Sequence, residues 1–458
     1  MNQYDSEVAE GLLENAGYQV IREHEDEQPE RSEGSGDPSA VPRPQDDKKY
    51  RGGRSVKHFR IPADIVLMNT CSVRDHAEER VFGRLGMLGH AKKTNPNLII
   101  GLLGGMVEEH RESLFKRFPQ LDLMVGTRNI KELPGLIDQV RKNRQQVAKI
   151  KQEGISIEYT DLIKRQGKFH AWLPIMTGCN KVCTFCIVPI TRGPEVSMPV
   201  REVYREASRL AGEGVKWVTL LGQNVNSYRG DASFPELLEQ LCQIEGLERI
   251  SFTTSHPHDA TEELFRVIAR NPKISRRFHL PLQSGSNRML KRMKRLHTFE
   301  EYREKITQMR KLIPHVSVTT DIIAGFSGET EDDHMATARA LEEIRYDGAY
   351  IYKYSVRPST PASKLDDDVP IKVKERRNAE LLAIQRRISR EINLQTLGRT
   401  VEVFVEEVNP KRSGQLLGRT HEEKKVAFSG EKTLLGRFEK VTVQDLHNDT
   451  LLGHSLIL

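Results

Sequence analysis

The chain has 458 residues, a length that predicts two to four domains. Its net charge of +6 permits a nucleic-acid partner without demonstrating one, and five cysteines in so long a chain exclude a disulfide framework. The most apolar stretch, 98–107, is too short to cross a bilayer, and the residues after Met1 lack the basic and apolar segments of a secretory leader. We therefore expect a soluble, cytoplasmic protein with no membrane contact.

The N-terminal region predicts a parallel α/β domain over residues 1–145. A helix is expected over 5–18, and residues 21–60, rich in charged residues, Pro, Gly and Ser, predict a disordered insertion. Buried-type strands and helices then alternate, with strands at 63–69, 98–103 and 121–125 and helices at 75–93 and 108–116. This alternation with short loops is typical of a parallel sheet flanked by helices.

The central region, 165–395, repeats the alternation more regularly and ends in a helix over 370–395. Six strand-like runs lie at 172–176, 217–221, 250–254, 278–282, 316–323 and 349–354. Amphipathic helices between them include 199–212, 233–244, 299–312 and 330–345. Six βα units predict a partial (β/α)6 barrel, and polar residues cluster just after the strand ends. Because those ends share one face of a barrel, we expect distant residues to form one site there.

The C-terminal tail, 397–458, predicts a small β-barrel. Short runs that alternate apolar and polar residues are separated by turn residues, which is the pattern of such a barrel. The tail carries nine Lys and Arg residues against nine Asp and Glu residues, so its charge alone does not indicate RNA binding.

The most informative motif is TGCNKVCTFC at 177–186, which places Cys179, Cys183 and Cys186 on one short loop. This C-x3-C-x2-C spacing offers three thiolates and no fourth. A [4Fe–4S] cluster held by three thiolates has one iron without a protein ligand, and that iron is free to take a small molecule.

A structural zinc site is the alternative for the three cysteines. Zinc requires a fourth ligand nearby, and His170 is the candidate. His256 and His279, close to other predicted strand ends, are interpreted as structural histidines, although roles in the site stay open.

Six further motifs follow one another in the chain: NTCSVR at 69–74, LGQNVNSY at 221–228, TTSHP at 253–257, HLPLQSGSN at 279–287, TDIIAGF at 320–326 and YSVRPSTP at 354–361. With the cysteine loop they make the chain resemble the radical-SAM methylthiotransferases, in particular those that modify tRNA. The resemblance implies that the cysteine triad holds a [4Fe–4S] cluster, that S-adenosylmethionine (SAM) binds its open iron, and that cleavage of SAM yields a 5′-deoxyadenosyl radical. It also implies that the C-terminal barrel is a TRAM domain, which docks tRNA.

The reaction that the resemblance implies is methylthiolation at C2 of N6-isopentenyladenosine next to the anticodon, with a second SAM as methyl donor. A radical is needed because the C2–H bond is strong and not acidic, so acid–base residues cannot activate it. A low-potential electron donor and a sulfur source are further expected partners, and the chain is expected to be a monomer. No individual catalytic side chain is assigned.

The resemblance also suggests residues that contact SAM. Gln223 is expected near the SAM amine, with a role in capping the cysteine loop as an equal alternative. Gln283 and Ser284 are expected to reach SAM, although Ser-Gly-Ser is also ordinary turn chemistry. Gly325 is expected to let the backbone approach the adenine or ribose.

One part of the chain departs from the family. The resemblance implies a second [4Fe–4S] cluster in the N-terminal domain, held by three separate cysteines, and Cys71 is one of its ligands. We expect the segment of the first ligand and the first strand to precede Met1, as a start site placed too late would explain, and Gly105 stands where the third ligand is expected. Two alternatives follow: a homologue that binds tRNA and SAM but is impaired in sulfur insertion, or a methylthiotransferase that acts on a ribosomal protein.

Overall fold

A computed structural model describes residues 2–22, 63–70, 75–150, 159, 162–165 and 167–456. The predicted insertion lies almost wholly outside these residues, and so does Cys71. The helices are α1 (Asn2–Asn15), α2 (Asp75–Thr94), α3 (Gly105–His110), α4 (Ser113–Arg117), α5 (Leu133–Asn143), α6 (Val188–Thr191), α7 (Val200–Gly212), α8 (Phe234–Cys242), α9 (Glu262–Arg270), α10 (Asn287–Arg292), α11 (Phe299–Leu312), α12 (Glu331–Ile344) and α13 (Ile371–Leu394).

The strands fall into three regions of the chain. They are β1 (Ile65–Thr70), β2 (Ile99–Gly104), β3 (Leu123–Val125), β4 (Val147–Lys149), β5 (His170–Pro174), β6 (Met176–Thr177), β7 (Val196–Ser197), β8 (Trp217–Leu221), β9 (Arg249–Phe252), β10 (Arg277–His279), β11 (Ser317–Ala324), β12 (Gly348–Lys353), β13 (Thr400–Val408), β14 (Gln415–Arg419), β15 (Lys425–Ser429), β16 (Phe438–His447) and β17 (Thr450–Ser455).

The N-terminal domain is a four-stranded parallel sheet in the order β1-β2-β3-β4. β2 is buried along its whole length, and its side chains alternate between the two faces of the sheet. Ile99 and Leu103 pack with α1 and α5, whereas Ile100 and Leu102 pack with α2. Apolar residues on both faces of one strand are what a sheet covered by helices on both sides requires. The predicted helix over 108–116 is two helices, because Arg111 between them adopts a left-handed φ of 47°.

The central domain contains the predicted six parallel strands, arranged as two sheets in the orders β5-β8-β9 and β10-β11-β12. An isolated parallel bridge between Ile250 and Ile274 joins the chain segments at the seam. Three of the helices begin with a capping box, at Ser233, Thr298 and Thr330, which fixes where each helix starts. Cys242 lies on α8 with three buried leucines, in the core of this domain.

The C-terminal domain is a closed barrel in the order β13-β14-β15-β17-β16. Its core consists of the inward residues of these strands, among them Val403, Val405 and Phe428, each of which is completely buried.

The predicted fold class is therefore confirmed: a parallel α/β domain, a partial (β/α)6 barrel and a small β-barrel. No helix in the part of the chain that the structure describes is both long enough and apolar enough to span a membrane.

The C-terminal barrel is attached at the amino ends of the parallel strands. The Glu423 carboxylate accepts hydrogen bonds from Ser251 (2.6 Å), Ser275 (2.8 Å) and Arg277 (3.1 Å), all of which belong to the central domain. Burial raises the pKa of Glu423, but Arg277 and the two hydroxyl donors outweigh burial and hold this pKa below its ordinary value. A carboxylate that stays ionised therefore joins the two domains.

Arg249, the first residue of β9, forms a second part of this attachment. Its Nη1 donates to the carbonyl oxygens of Arg419 and Thr420, both at 3.1 Å. The guanidinium also stands over the rings of Trp217 and Phe438, at 5.2 and 5.0 Å from their centroids. Cation–π and charge-assisted contacts of this kind are strengthened by burial, and Arg249 is 1% exposed.

Replacement of Glu423 by alanine should loosen the C-terminal barrel, because Arg277 loses its carboxylate partner. Allowing for the partial exposure of Arg277, we expect a cost of roughly 2 kcal/mol, which corresponds to about thirtyfold faster opening at this junction. The measurement is the rate at which a protease separates the C-terminal domain. Glu402→Ala removes an exposed carboxylate of the same domain and is the control; equal rates for the two variants would contradict the prediction.

Candidate active site at the carboxyl ends of the barrel strands

The cysteine loop leaves the barrel between β6 and β7. These short strands pair antiparallel, with Met176 opposite Ser197, and so close the base of the loop. The loop contains little regular structure beyond the four-residue helix α6. Its conformation therefore depends on contacts with the rest of the domain.

Gly178 fixes the first turn of the loop. Its φ is +77°, and a Cβ atom there would stand 2.0 Å from the carbonyl oxygen of Pro194. The backbone N–H of Gly178 donates to the Gln223 side-chain oxygen at 2.6 Å, and that of Cys179 donates to the Gly193 carbonyl oxygen at 3.2 Å. The loop-capping role of Gln223 is thus observed, whereas its expected contact with SAM stays a prediction.

Lys181 anchors the middle of the loop to the strand ends. Its Nζ lies 2.8 Å from Asp259 Oδ1, and Asn224 Nδ2 donates to the other oxygen of this carboxylate at 2.8 Å. Burial raises the pKa of Asp259, but the hydrogen bonds from Lys181, Asn224 and His258 outweigh burial and lower it. Residues that follow β8 and β9 therefore hold the loop through one ionised carboxylate.

Cys183 is the most deeply buried of the three cysteines, at 8% exposure. Arg295 Nη1 lies 3.2 Å from its sulfur, and His256 Nε2 lies 3.9 Å from it. His256 Nδ1 accepts the backbone N–H of His258 at 3.1 Å, and desolvation by burial lowers the pKa of His256 far below its ordinary value. The imidazole is therefore neutral, and the structure gives it a place beside the cysteine loop as well as a structural role.

The three thiols are free and their donor chemistry fits an iron–sulfur cluster. Burial raises the pKa of Cys179, and it raises that of Cys186 to about 12, so a bound metal has to displace thiol protons. Among the described residues, the three sulfurs do not form a group in which every ligand atom lies within 4.8 Å of the others. A single zinc ion would require such a close group.

His170, the candidate fourth zinc ligand, lies at the opposite end of the barrel. It is the first residue of β5, its Nε2 lies 2.8 Å from Thr219 Oγ1, and it packs between Trp172 and Trp217. Burial lowers the pKa of His170 to about 4. The structure therefore gives the zinc alternative no support from this residue.

The remaining residues predicted to contact SAM lie at two neighbouring strand ends. Gln283 follows β10 with a φ of +77° and its backbone pairs with Asp321 and Ile323 of β11. Ser284 is completely buried, and its hydroxyl lies 3.2 Å from Thr337 Oγ1. Gly325 follows β11, and a Cβ atom there would stand 2.4 Å from the Lys374 side chain. All three belong to the face of the cysteine loop, and their contacts with SAM stay predictions.

Several polar atoms on this face are buried without a hydrogen-bond partner among the described residues, and they include Asn224 Oδ1, after β8, and Ser255 Oγ, after β9. Because buried polar groups are normally paired, these atoms fit a polar ligand such as SAM beside the loop. Thr254 next to Ser255 has a φ of +68°, a strained conformation for a β-branched residue. In the sequence, the position of Asn224 and Ser255 directly after predicted strands is the one signal that points to a role in the site.

The position of the expected second cluster lies close to the cysteine loop. Thr70 pairs with Gly104, so the residues that precede Cys71 and Gly105 are directly opposite each other. Cys71 itself lies outside the described residues. α3, which begins at Gly105, contacts α6 of the cysteine loop, and an ion pair of 2.8 Å joins Glu78 to Arg357 across the two domains.

Three family models match the chain in order. The model described as an uncharacterized protein family, UPF0004, matches residues 49–126, the Radical SAM superfamily matches 173–341 and the TRAM domain matches 394–456. Among solved structures, the radical S-adenosylmethionine methyltransferase TsrM from Kitasatospora setae is similar, with a TM-score of 0.52 and 15% identity over 78% of this chain and 73% of that chain. Fold and site thus define a radical SAM protein with a TRAM domain.

Curated relatives cover nearly the whole chain. It is 41% identical to the tRNA-2-methylthio-N(6)-dimethylallyladenosine synthase of Dictyoglomus thermophilum, over 99% of this chain and 96% of that protein. It is 42% identical to the synthase of the same name from Pelotomaculum thermopropionicum, over 97% and 92%. The chain belongs to this family of radical-SAM methylthiotransferases, which confirms the resemblance and makes the protein an enzyme with SAM and [4Fe–4S] as its cofactors.

Replacement of Gly178 by alanine should prevent assembly of the cluster, because the added methyl group would overlap the Pro194 carbonyl oxygen. We expect iron bound after anaerobic reconstitution to fall at least severalfold. Gly214→Ala is the matched control: its φ is also left-handed, at +92°, but no described atom lies within 4 Å of the added Cβ. Equal iron contents in the two variants would show that the close approach at Gly178 is not required.

Proposed function

We propose that the chain transfers a methylthio group to C2 of N6-isopentenyladenosine in tRNA. The observation that carries the proposal is the cysteine triad on a loop at the carboxyl ends of six parallel strands, in a chain about 40% identical to the named synthases over nearly its full length. The substrate is inferred from the named relatives, and the position of the cysteine loop at the strand ends supports this reaction.

The cysteine loop supports the chemistry by positioning. Cys179, Cys183 and Cys186 would hold the cluster, and the cluster with SAM supplies a 5′-deoxyadenosyl radical. Lys181 and Asp259 hold the loop against the strand ends, so that the three thiols would hold the cluster at a fixed place. The buried, unpaired polar atoms of Asn224 and Ser255 support the binding of polar groups of SAM beside the loop.

The C-terminal barrel supports tRNA as the partner. It matches the TRAM domain and is attached to the central domain through hydrogen bonds of Glu423 and Arg249. We further propose that a low-potential electron donor reduces the cluster, that a separate source supplies sulfur, and that the protein acts as a monomer in the cytoplasm. The domain limits 1–145, 165–395 and 397–458 belong to the same proposal.

The direct test is an anaerobic assay with the full reconstituted chain, SAM, dithionite and tRNA that carries N6-isopentenyladenosine. We expect mass spectrometry to detect the 2-methylthio nucleoside together with 5′-deoxyadenosine. Cys183→Ala should abolish both products, because the cluster loses a ligand. Cys242→Ala, which changes a cysteine in the core away from the loop, should retain both. If the unchanged chain made neither product, the proposal would be wrong.

A second candidate function is favoured by one observation. Gly105 follows Gly104, which pairs with Thr70. A residue whose side chain offers no metal ligand therefore occupies the place where the family's second cluster is expected. In this candidate the chain binds tRNA and cleaves SAM but does not insert sulfur. The ribosomal-protein alternative receives no such support, because the similar relatives named above are tRNA-modifying enzymes.

Iron counting separates the two candidates. About eight irons per chain would indicate two clusters and would support the transferase, whereas about four would indicate one cluster. Four irons together with 5′-deoxyadenosine but no 2-methylthio nucleoside is the result that the second candidate predicts. Formation of the methylthio nucleoside, at any iron content, would exclude this candidate.

A further inference from the structure

We propose that Arg295 and His256 raise the reduction potential of the cluster on the cysteine triad by donating hydrogen bonds to the Cys183 sulfur. This inference rests on the cluster that the proposed function includes, but on neither the tRNA substrate nor sulfur transfer. It makes both residues positioning and tuning residues rather than catalytic ones.

The three sulfurs differ in their surroundings. Cys183 faces two side-chain donors, the guanidinium of Arg295 at 3.2 Å and the imidazole of His256 at 3.9 Å. Cys179 accepts a backbone N–H, that of Lys181, at 3.5 Å. Side-chain donors can be added or removed by substitution, whereas backbone donors are part of the loop itself. The environment of Cys183 is therefore the part of the site that can be tuned.

His256 presents a proton to the sulfur. Its Nδ1 accepts the backbone N–H of His258 and so carries no proton, which places the ring proton on Nε2, the nitrogen that faces Cys183. Asn226 holds the backbone on both sides of this residue, since its Oδ1 accepts from His256 N and its Nδ2 donates to His256 O, both at 2.9 Å. The ring is thus fixed in position and in tautomer.

Arg295 is a buried side chain that lies against the cysteine site. It is 4% exposed, and besides the sulfur it contacts the Pro281 carbonyl oxygen at 2.7 Å. Among the described residues its Nε has no partner and no carboxylate forms an ion pair with it. An unpaired buried charge is costly, so the position is understandable if a group with negative charge occupies the loop. Three thiolates around a cluster provide that charge.

The backbone on either side of Arg295 is strained. Lys294 and Leu296, on either side, have φ values of 53° and 58°, in the left-handed region that residues with a Cβ rarely adopt. Leu296 is 53% exposed, so its packing does not explain the strain. Strain of this kind tends to be found at functional sites.

The sign of the effect follows from electrostatics. One-electron reduction adds negative charge to the cluster and its thiolates, and N–H donors and a positive charge stabilise that added charge. Arg295 and His256 therefore favour the reduced form, and loss of either donor should make the cluster harder to reduce by its low-potential electron donor.

The test is a potentiometric titration of the full reconstituted chain under anaerobic conditions, with the reduced cluster measured by electron paramagnetic resonance. In Arg295→Gln we expect the ratio of reduced to oxidised cluster at a fixed poise to fall about tenfold, which is about 59 mV for a one-electron couple. Arg295→Lys, which keeps the charge, should fall less. Arg292→Gln removes an exposed charge three residues away, whose Nε bonds to the Ser327 carbonyl oxygen, and should leave the ratio unchanged.

The histidine is tested by two variants that divide its functions. His256→Asn can still accept the N–H of His258 but loses the donor to sulfur, so its ratio should fall; His256→Gln can place an amide near the sulfur and should fall less. Unchanged ratios in both Arg295→Gln and His256→Asn, with the iron content of the unchanged chain, would overturn the inference. If Arg295→Gln binds no iron, the two histidine variants decide. No cluster in the unchanged chain would contradict both the proposed function and this inference, whereas shifted potentials without methylthio product would support this inference alone.

Discussion

The site depends on one steric constraint, the close approach of two backbone segments at the start of the cysteine loop. Gly178 can lie against the Pro194 carbonyl oxygen because it has no side chain, and this contact turns the chain so that Gln223 can cap it. The loop has almost no hydrogen-bonded structure of its own, so its three thiols would otherwise be free to separate. Contacts from β8, β9 and the segment after α10 then hold it in place. A cluster site is in this way built by the barrel rather than by the loop that carries the ligands.

The two ends of the barrel have separate tasks. The amino ends of the strands are covered by the C-terminal domain, through the buried groups of Glu423 and Arg249, and the carboxyl ends carry the cysteine loop. The six strands have three to eight residues, and the longest of them, β11, spans roughly 25 Å between the two ends. A small metabolite cannot contact both, whereas a folded RNA can. The architecture therefore suits a macromolecular substrate that is held at a distance from the atom that reacts.

Much of the fold was predictable because it depends on local patterns. Apolar runs and capping residues place the strands and helices within a few residues of their observed ends, and convergence of strand ends predicts a single site. The contacts within the site were not predictable in the same way. Arg295 and Cys183 are 112 residues apart, and nothing in the local sequence of either indicates the other. Thr254 and Lys294 adopt left-handed conformations, which a sequence normally indicates by a glycine. Neither position has a glycine, because the surrounding tertiary structure imposes the conformation.

The N-terminal domain limits what can replace a missing ligand at Gly105. Gly101 in β2 lies against β1, where a Cβ atom would stand 2.6 Å from Leu67 Cδ2, and a shift of the pairing would bring a larger residue to this position. A shift by one residue would also exchange the two buried faces of β2, which pack against different helices. The register is therefore fixed, and no neighbouring residue of β2 can move into the place next to Thr70. Any sulfur chemistry in this domain has to proceed with Gly105 where it is, so the capacity for methylthio transfer depends on which other groups complete the site.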